Sequence, residues 1–224
     1  MPTIGLIHST RLVIDSVHLV LTRDCPGCEL VHILDETLLR DLRRPDRTPE
    51  GLARKLAALA ATLAESGADL TVVTCSSLSP RVNAARTHSP VPILKIDEPM
   101  VEYAVRHGSR IGVVATNPAT VEPTRMLIEE VSGSLGKSAG VQTALVEEAF
   151  LRLNQGDAAA HDRLVLEAVE RLSDQSDMVL LAQLSIARVL ERIQPDRRAN
   201  VLSSLEFIGD KINDTLALKP DRRH

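Results

Sequence analysis

The sequence predicts an α/β fold with two pseudo-symmetric lobes, each a parallel four-stranded sheet flanked by helices. Short apolar runs rich in Val, Ile and Leu alternate with longer segments of helical spacing, which is typical of parallel strands and their crossover helices. The pattern then starts again: Ile4-Gly5 corresponds to Ile111-Gly112 at an offset of 107 residues, and Asp69 to Asp177 at an offset of 108. We therefore expect two βαβ-type halves of about one hundred residues each, related by a pseudo-twofold axis.

The first half shows clear helix starts and stops. Thr48-Pro49 and Ser79-Pro80 each predict an N-cap followed by proline at the first helical position, and Gly108 predicts a C-cap. The charged segment 40–47 contains a proline and is interpreted as a solvated loop. The predicted strands are 3–7, 29–34, 70–74 and 92–96, and the predicted helices are 11–21, 48–67, 79–87 and 99–107.

The second half follows the same order. Its strands are predicted at 110–115, 141–146, 177–182 and 200–202. Its helices are predicted from near Pro123, or a few residues earlier, to 131, and at 157–172, 186–193 and 205–216. The predicted division places residues 1–97 and 205–224 in the N-terminal lobe and residues 98–204 in the C-terminal lobe.

Polar side chains follow the strands at their carboxyl ends, where open α/β sheets bind their ligands. We expect the two edges to face one cleft, so that the active site lies between the lobes. Cys75 is placed after a buried strand and before a helix start, which favours its thiolate. The candidate catalytic residues are Cys75, His8 and Gln183, and the candidate substrate-binding residues are Ser9, Thr10, Ser76, Ser77, Thr116, Asn117, Thr120 and Ser185.

Composition excludes several classes of partner. The net charge is −4 and there are only three aromatic residues, so neither nucleic-acid binding nor base stacking is expected. No apolar run is long enough to span a membrane, and the N-terminus leads directly into a strand. Three cysteines fit reduced thiols in the cytoplasm. Cys25 and Cys28 enclose a turn that precedes a strand, which does not match a thioredoxin-like motif, and no metal site is predicted.

Six segments resemble the aspartate/glutamate racemase superfamily, which includes hydantoin racemases, maleate isomerases and arylmalonate decarboxylases. They are GLIHST, LDETLLRDL, GADLTVVTCSS, IDEPM, RIGVVATNPATVEPT and DMVLLAQLS. The resemblance implies a small carboxylate substrate such as an amino acid or related acid, no cofactor, and a homodimer or higher homo-oligomer. It also implies that a cysteine from each lobe transfers a proton at the substrate's α-carbon, one on each face.

This chain keeps the first of those cysteines, as Cys75, and has Gln183 at the second position. Glutamine cannot exchange a proton as a general acid or base, so two-cysteine racemisation is not available. One-face protonation, as in decarboxylation or isomerisation, remains open. A second base also remains open, with His8 and Asp97 as candidates.

The expected chemistry develops negative charge on a carboxylate, which the hydroxyl and amide donors at the strand ends would stabilise. The alternatives are that Cys75 is a buried small hydrophobic residue and that His8 is a hydrogen-bonded structural histidine. A small-molecule binding or sensing protein that has lost catalysis is a further alternative, motivated by Gln183.

Overall fold

The computed structural model describes residues 1–44 and 46–217. The chain divides into two compact units. Unit 1 contains Met1–Ile96 together with the chain from Phe207 onward, and unit 2 contains Asp97–Glu206. The C-terminal helix therefore belongs to the same unit as the N-terminal strand.

Unit 1 contains a parallel sheet with the strand order β2-β1-β3-β4. Its central strands are fully buried, which explains their continuous apolar sequence. The strands are β1 (Thr3–His8), β2 (Glu29–Leu34), β3 (Leu70–Val73) and β4 (Ile93–Lys95). The helices are α1 (Ile14–Asp24), α2 (Thr37–Leu42), α3 (Pro49–Glu65), α4 (Ser79–Arg86) and, at the end of the chain, α10 (Ile208–Ala217).

Unit 2 repeats this arrangement with the strand order β6-β5-β7-β8, again with every pairing parallel. The predicted pair of four-stranded parallel sheets is therefore confirmed. The strands are β5 (Arg110–Ala115), β6 (Gly140–Leu145), β7 (Met178–Leu181) and β8 (Val201–Ser203). The helices are α5 (Glu98–His107), α6 (Pro118–Ser134), α7 (Glu147–Asn154), α8 (Ala158–Ser173) and α9 (Pro195–Arg198).

The sequence repeat corresponds to repeated contacts. In unit 1, an Asp69 carboxylate oxygen accepts a hydrogen bond from the Thr3 N–H at 2.9 Å. In unit 2, an Asp177 carboxylate oxygen accepts bonds from the N–H groups of Ser109 and Arg110, both at 2.9 Å. Each aspartate thus fixes the start of its third strand to the start of its first.

The two repeated glycines also have equivalent roles. A β-carbon on Gly5 would lie 2.8 Å from Leu63 Cδ1 and 3.0 Å from Leu63 Cβ, and one on Gly112 would lie 3.2 Å from Leu172 Cβ. All three distances are too short for ordinary packing, so glycine lets α3 and α8 approach the central strand of their own sheet.

Several element predictions require correction. Residues 37–42 form α2, so the segment 40–47 is not all loop, and α7 was not predicted. Helix α6 begins at Pro118 because the Asn117 side chain caps it, and Pro123 lies inside the helix. The predicted helix 186–193 is instead a 3-10 helix at Leu184–Arg192.

Candidate functional site

In unit 1, the candidate residues meet at the carboxyl edge of the sheet. β1 and β3 are adjacent and pair Ile7 with Val73, so the residues after these positions emerge side by side. His8 ends β1 and is followed by Ser9, while Thr74 and Cys75 follow β3.

Cys75 lies immediately before a 3-10 helix at Ser76–Leu78, and α4 follows at Ser79. The predicted N-cap role of Ser79 is therefore wrong, because Ser79 is already helical and one 3-10 turn separates Cys75 from α4. Four nearby groups favour the thiolate of Cys75 and act to lower its pKa: the hydroxyl groups of Ser9 and Ser77 and the backbone N–H groups of Ser77 and Leu78. Among the described residues, the buried Ser9 Oγ has no partner at ordinary hydrogen-bond distance, so its effect on the sulfur is a weak one. Each of these donors stabilises a thiolate more than a thiol.

Burial nevertheless raises the pKa of the Cys75 thiol, and the four donors only partly offset this effect. The expectation of a depressed thiol pKa is therefore reversed. The intervening 3-10 turn contributes only its first N–H groups to the sulfur. Cys75 consequently rests as a thiol at neutral pH, with donors already placed for the thiolate that forms when it gives up its proton.

The other serine and threonine candidates of unit 1 have structural contacts. Ser76 and Ser77 are buried in the 3-10 turn, and only Ser77 reaches the Cys75 sulfur through its hydroxyl. Thr10 caps the 3-10 helix at Arg11–Val13, where its hydroxyl oxygen accepts from the Leu12 N–H at 3.4 Å.

His8 has no exposed surface and both of its ring nitrogens are engaged. Its Nδ1 lies 2.9 Å from Thr74 Oγ1, and its Nε2 lies 2.9 Å from His32 Nδ1. Burial, followed by the electrostatic effect of His32, lowers the pKa of His8 to about 4, so the ring is neutral at pH 7. His8 is thus held inside a hydrogen-bonded chain of side chains.

In unit 2, Gln183 Oε1 accepts three hydrogen bonds. The donors are the Thr116 N–H at 2.7 Å, the Asn117 N–H at 3.0 Å and the Thr116 hydroxyl at 3.1 Å. Asn117 Oδ1 in turn accepts from the Ala119 N–H at 3.0 Å and caps α6. Thr116 and Asn117, which we predicted to bind a substrate carboxylate, therefore bind the side-chain oxygen of Gln183.

This arrangement is the counterpart of the cysteine site in unit 1. Thr116 and Gln183 occupy the repeat positions of Ser9 and Cys75, and the Thr116 hydroxyl donates to Gln183 Oε1. The two remaining candidates lie on the following helical segments. Thr120 is buried in the first turn of α6, and Ser185 lies half-buried in the 3-10 helix after Gln183.

Sequence reasoning did not identify His18, His32 and Thr74, although they form a hydrogen-bonded chain with His8. The contact between His8 and His32 depends on the register of β1 and β2, which the sequence does not give. β2 pairs His32 with Leu6, two residues before His8, so both histidines lie on one face of the sheet.

Known proteins resemble this chain in sequence pattern and in fold. The sequence profile of the Asp/Glu/hydantoin racemase family matches residues 4–208. The chain belongs to this family. No functionally curated protein sequence matches it.

Solved racemase-family structures share the fold at low identity. Allantoin racemase from Klebsiella pneumoniae is 18% identical with a TM-score of 0.73, covering 97% of this chain and 89% of that one. Glutamate racemase isoform RacE1 from Bacillus anthracis is 17% identical with a TM-score of 0.69. The match covers 96% of this chain and 82% of that one. A glycine-to-cysteine mutant of arylmalonate decarboxylase is 18% identical with a TM-score of 0.64. The match covers 100% of this chain and 97% of that one.

Within residues 1–44 and 46–217, no group of three or more His, Cys, Asp or Glu side chains is arranged to hold a metal ion. No helix in the same part of the chain has the length and apolar character needed to cross a membrane.

Proposed function

We propose that this racemase-family protein is a cofactor-independent enzyme that transfers a proton at the α-carbon of a small carboxylate, such as an amino acid or related acid. Cys75 is the acid/base residue. The observation that carries the proposal is the placement of Cys75 at the carboxyl end of β3, directly before the 3-10 turn whose Ser77 and Leu78 N–H groups and Ser77 hydroxyl favour its thiolate. A buried structural cysteine does not need donors that stabilise its negative form.

The raised pKa of Cys75 favours a particular order of events. A thiol at rest donates its proton first, so the sulfur protonates a carbanion or enediolate that forms on the substrate. The Ser9 and Ser77 hydroxyl groups then stabilise the thiolate left behind. This order suits a decarboxylation or isomerisation that protonates one face.

The repeat position of Cys75 in unit 2 carries no comparable acid. Gln183 has no titratable proton, and its Oε1 is already bound by Thr116 and Asn117. Gln183 therefore holds the end of β5 and the start of α6 in place.

The test is α-proton exchange in D₂O, followed by NMR with a panel of amino acids, hydroxy acids and malonates. The wild-type protein is expected to exchange or release CO₂ from at least one acid, and Cys75→Ala to lose that activity by at least about 100-fold. Cys28→Ala is the matched control, because Cys28 is also a half-buried free cysteine. Exchange that persists in Cys75→Ala at the wild-type rate would remove Cys75 from the mechanism, and formation of both enantiomers would establish a second base.

A binding protein without turnover is the second candidate. The raised pKa of Cys75 favours it, because a thiol that seldom ionises is a poor base. This candidate predicts that calorimetry detects binding of a carboxylate while neither exchange nor CO₂ release occurs. Turnover of any acid that depends on Cys75 would exclude it.

A further inference from the structure

A buried carboxylate of unit 2 joins two elements of that unit. Asp162 lies in the second turn of α8 and is only 4% exposed. One of its oxygens lies 2.8 Å from His161 Nδ1 and 3.1 Å from Arg188 Nε, and the other lies 3.0 Å from Arg192 Nη1. Both arginines belong to the 3-10 helix at Leu184–Arg192, so Asp162 ties that segment to α8 by two ion pairs.

Asp162 also orients the imidazole ring next to it. A carboxylate can only accept hydrogen bonds, so the contact requires a proton on His161 Nδ1. The other ring nitrogen, Nε2, is buried and has no hydrogen-bond partner in the described part of the chain. Asp162 is thus the shared partner of the histidine and of both arginines.

The sequence repeat shows that this carboxylate is present in only one half of the molecule. Leu63 and Leu172 approach the equivalent glycines of their sheets, which aligns α3 with α8 at an offset of 109 residues. At this offset Asp162 corresponds to Ala53, a buried residue of unit 1. Unit 1 therefore has a methyl group where unit 2 has a charged side chain.

The segment that follows the third strand differs between the halves as well. In unit 1, one 3-10 turn at Ser76–Leu78 leads into α4, whose second residue is Pro80. In unit 2, the 3-10 form continues for nine residues, Leu184–Arg192, and Arg188 stands at the repeat position of Pro80. A 3-10 helix of this length is uncommon because its hydrogen-bond geometry is poorer than that of an α-helix. The segment therefore depends on side-chain contacts, and Asp162 supplies two of them.

The same segment begins at the candidate site. Gln183 is its N-cap residue and Ser185 is its second residue. Its N-terminal end is fixed because Gln183 Oε1 accepts hydrogen bonds from the N–H groups of Thr116 and Asn117. Asp162 fixes the C-terminal half, so the path of the segment away from the edge of the sheet is set at both ends.

We propose that Asp162 is a positioning residue, which holds the segment that begins at Gln183 in the geometry in which Ser185 binds the substrate carboxylate. The inference rests on the proposed function, in which donors at the strand ends bind that carboxylate. Asp162 acts only through its two arginine partners and takes no part in the proton transfer by Cys75.

A positioning role predicts a loss of substrate affinity with little change in the chemical step. Displacing a binding group by about 1 Å can cost roughly 100-fold. Proton transfer is assigned to Cys75, which belongs to the other unit, so kcat should be almost constant. A purely structural role predicts the opposite split, because partial unfolding lowers the amount of active protein and leaves KM unchanged.

The first test compares Asp162→Asn with the wild type on an acid that the wild-type protein turns over. Asparagine keeps the side-chain volume and removes the charge, and the side chains of Arg188 and Arg192, each 51% exposed, can turn to solvent. KM is expected to rise at least about 10-fold while kcat changes less than about threefold. Glu167→Gln is the matched control, because Glu167 forms an exposed ion pair with Arg163 on the same helix. An unchanged KM, or a lower kcat at constant KM, would overturn the positioning role.

Arg192→Gln takes the place of Asp162→Asn if that variant does not fold. It removes one half-exposed partner and leaves the buried carboxylate with His161 and Arg188. KM is then expected to rise about threefold to tenfold at nearly constant kcat, and Arg192→Lys, which keeps the charge, to lie closer to the wild type. A wild-type KM in folded Arg192→Gln would overturn the proposal in that case.

Hydrogen exchange followed by mass spectrometry tests the link to the segment without a substrate. Asp162→Asn is expected to speed exchange in residues 184–192 at least about tenfold, because one of the two ends of the segment is released, and to leave the strands of unit 1 unchanged. Glu167→Gln should match the wild type. Unchanged exchange in residues 184–192 would overturn the link.

The tests separate the possible failures. If the wild-type protein neither turns over nor binds any acid, the proposed function fails and the positioning role fails with it. If it binds an acid without turnover, the dissociation constant from calorimetry replaces KM, and the same weakening is expected in Asp162→Asn. If turnover requires Cys75 and Asp162→Asn leaves KM unchanged, the proposed function stands and this inference alone fails.

Discussion

At the scale of single residues, Cys75 is governed by two opposing effects of its surroundings. Burial disfavours the thiolate, whereas the donors from Ser9, Ser77 and Leu78 favour it, and burial dominates. The balance can be measured because the hydroxyl groups of Ser9 and Ser77 can be removed without changing the backbone.

Ser9→Ala is expected to raise the pKa of Cys75 further, since a hydroxyl that stabilises the thiolate is lost. The thiolate fraction at pH 8 should fall about threefold to tenfold, corresponding to roughly half a unit to one unit of pKa. The rate of Cys75 alkylation against pH, read from its tryptic peptide by mass spectrometry, measures this. Ser66→Ala, at an exposed hydroxyl that bonds only to Thr62 O, is the control; a faster reaction in Ser9→Ala than in the wild type would contradict the assignment.

The buried His8 makes folding stability depend on pH. Its pKa is about 4 in the folded state and about 6.5 when unfolded, so the unfolded chain binds the proton more tightly. The contribution of neutral His8 is complete above pH 6.5 and is lost as the pH falls toward 4. Between pH 7 and pH 4.5 the free energy of unfolding therefore falls by about 2–3 kcal/mol through His8.

Urea unfolding at both pH values provides the measurement. His8→Asn removes the titrating ring, so its loss of stability between pH 7 and 4.5 should be smaller than that of the wild type by that amount. His107→Asn, which alters an exposed histidine of unit 2, should keep the wild-type difference. Identical pH profiles for His8→Asn and the wild type would contradict the low pKa.

Part of the site follows from the sequence alone. Cys75, Ser9 and Ser77 were identified because polar residues after neighbouring parallel strands must emerge at one edge. The linked histidines could not be read in the same way, because the contact between His8 and His32 depends on strand register. Nor does residue type reveal that Gln183 directs its oxygen at Thr116 and Asn117.

At the scale of secondary-structure elements, a glycine in a central strand of each sheet allows one helix to pack closely against that strand. Gly5 of β1 does so for α3, and Gly112 of β5 does so for α8. The strands with continuous apolar sequence and the Thr48-Pro49 start of α3 were predicted correctly, because local chemistry determines them. The caps of α4 and α6 were not, because a 3-10 turn precedes α4 and the Asn117 cap starts α6 at Pro118, five residues before Pro123. The short helices α2 and α7 were missed. Their sequences are rich in charge, and what stabilises them is packing of Leu38 and Ala149, which are fully buried in their unit cores.

Gly5→Ala and Gly112→Ala are each expected to destabilise the protein by about 1–3 kcal/mol, because the added methyl group overlaps Leu63 or Leu172. Thermal or urea unfolding measures the loss. Gly133→Ala is the matched control: Gly133 lies in α6 with open space around it, so alanine should stabilise the helix by up to about 1 kcal/mol. Neutral substitutions at both strand positions would show that α3 and α8 can shift outward at little cost.

At the scale of the whole molecule, the chain returns to its first unit after completing the second. α10 packs against α1 within unit 1. Asn213 Nδ2 donates to the Asp24 carbonyl oxygen at 3.2 Å, and the Ile208 and Ile212 side chains are fully buried. The stability of unit 1 therefore depends on α10, which is separated from the rest of that unit by the whole sequence of unit 2.

Ile212→Ala is expected to destabilise unit 1 by about 2–5 kcal/mol through the cavity it leaves. Hydrogen exchange followed by mass spectrometry should show faster exchange in β1, α1 and α10. Thr215→Ala is the control, since it changes the same helix at a half-buried hydroxyl that donates to the Lys211 carbonyl oxygen. Exchange that accelerates in unit 2 strands and not in β1 or α1 would contradict this assignment of α10.

The return of the chain also sets an order of events during protein synthesis. The ribosome completes Ile96, then all of unit 2, and only afterwards α10. At about 5–20 residues per second, the interval between Ile96 and Ala217 lasts roughly 6–25 s. Throughout that time α1 lacks its partner helix, so the N-terminal unit is the last to close its core in the growing chain and the one that is exposed longest to chaperones and proteases.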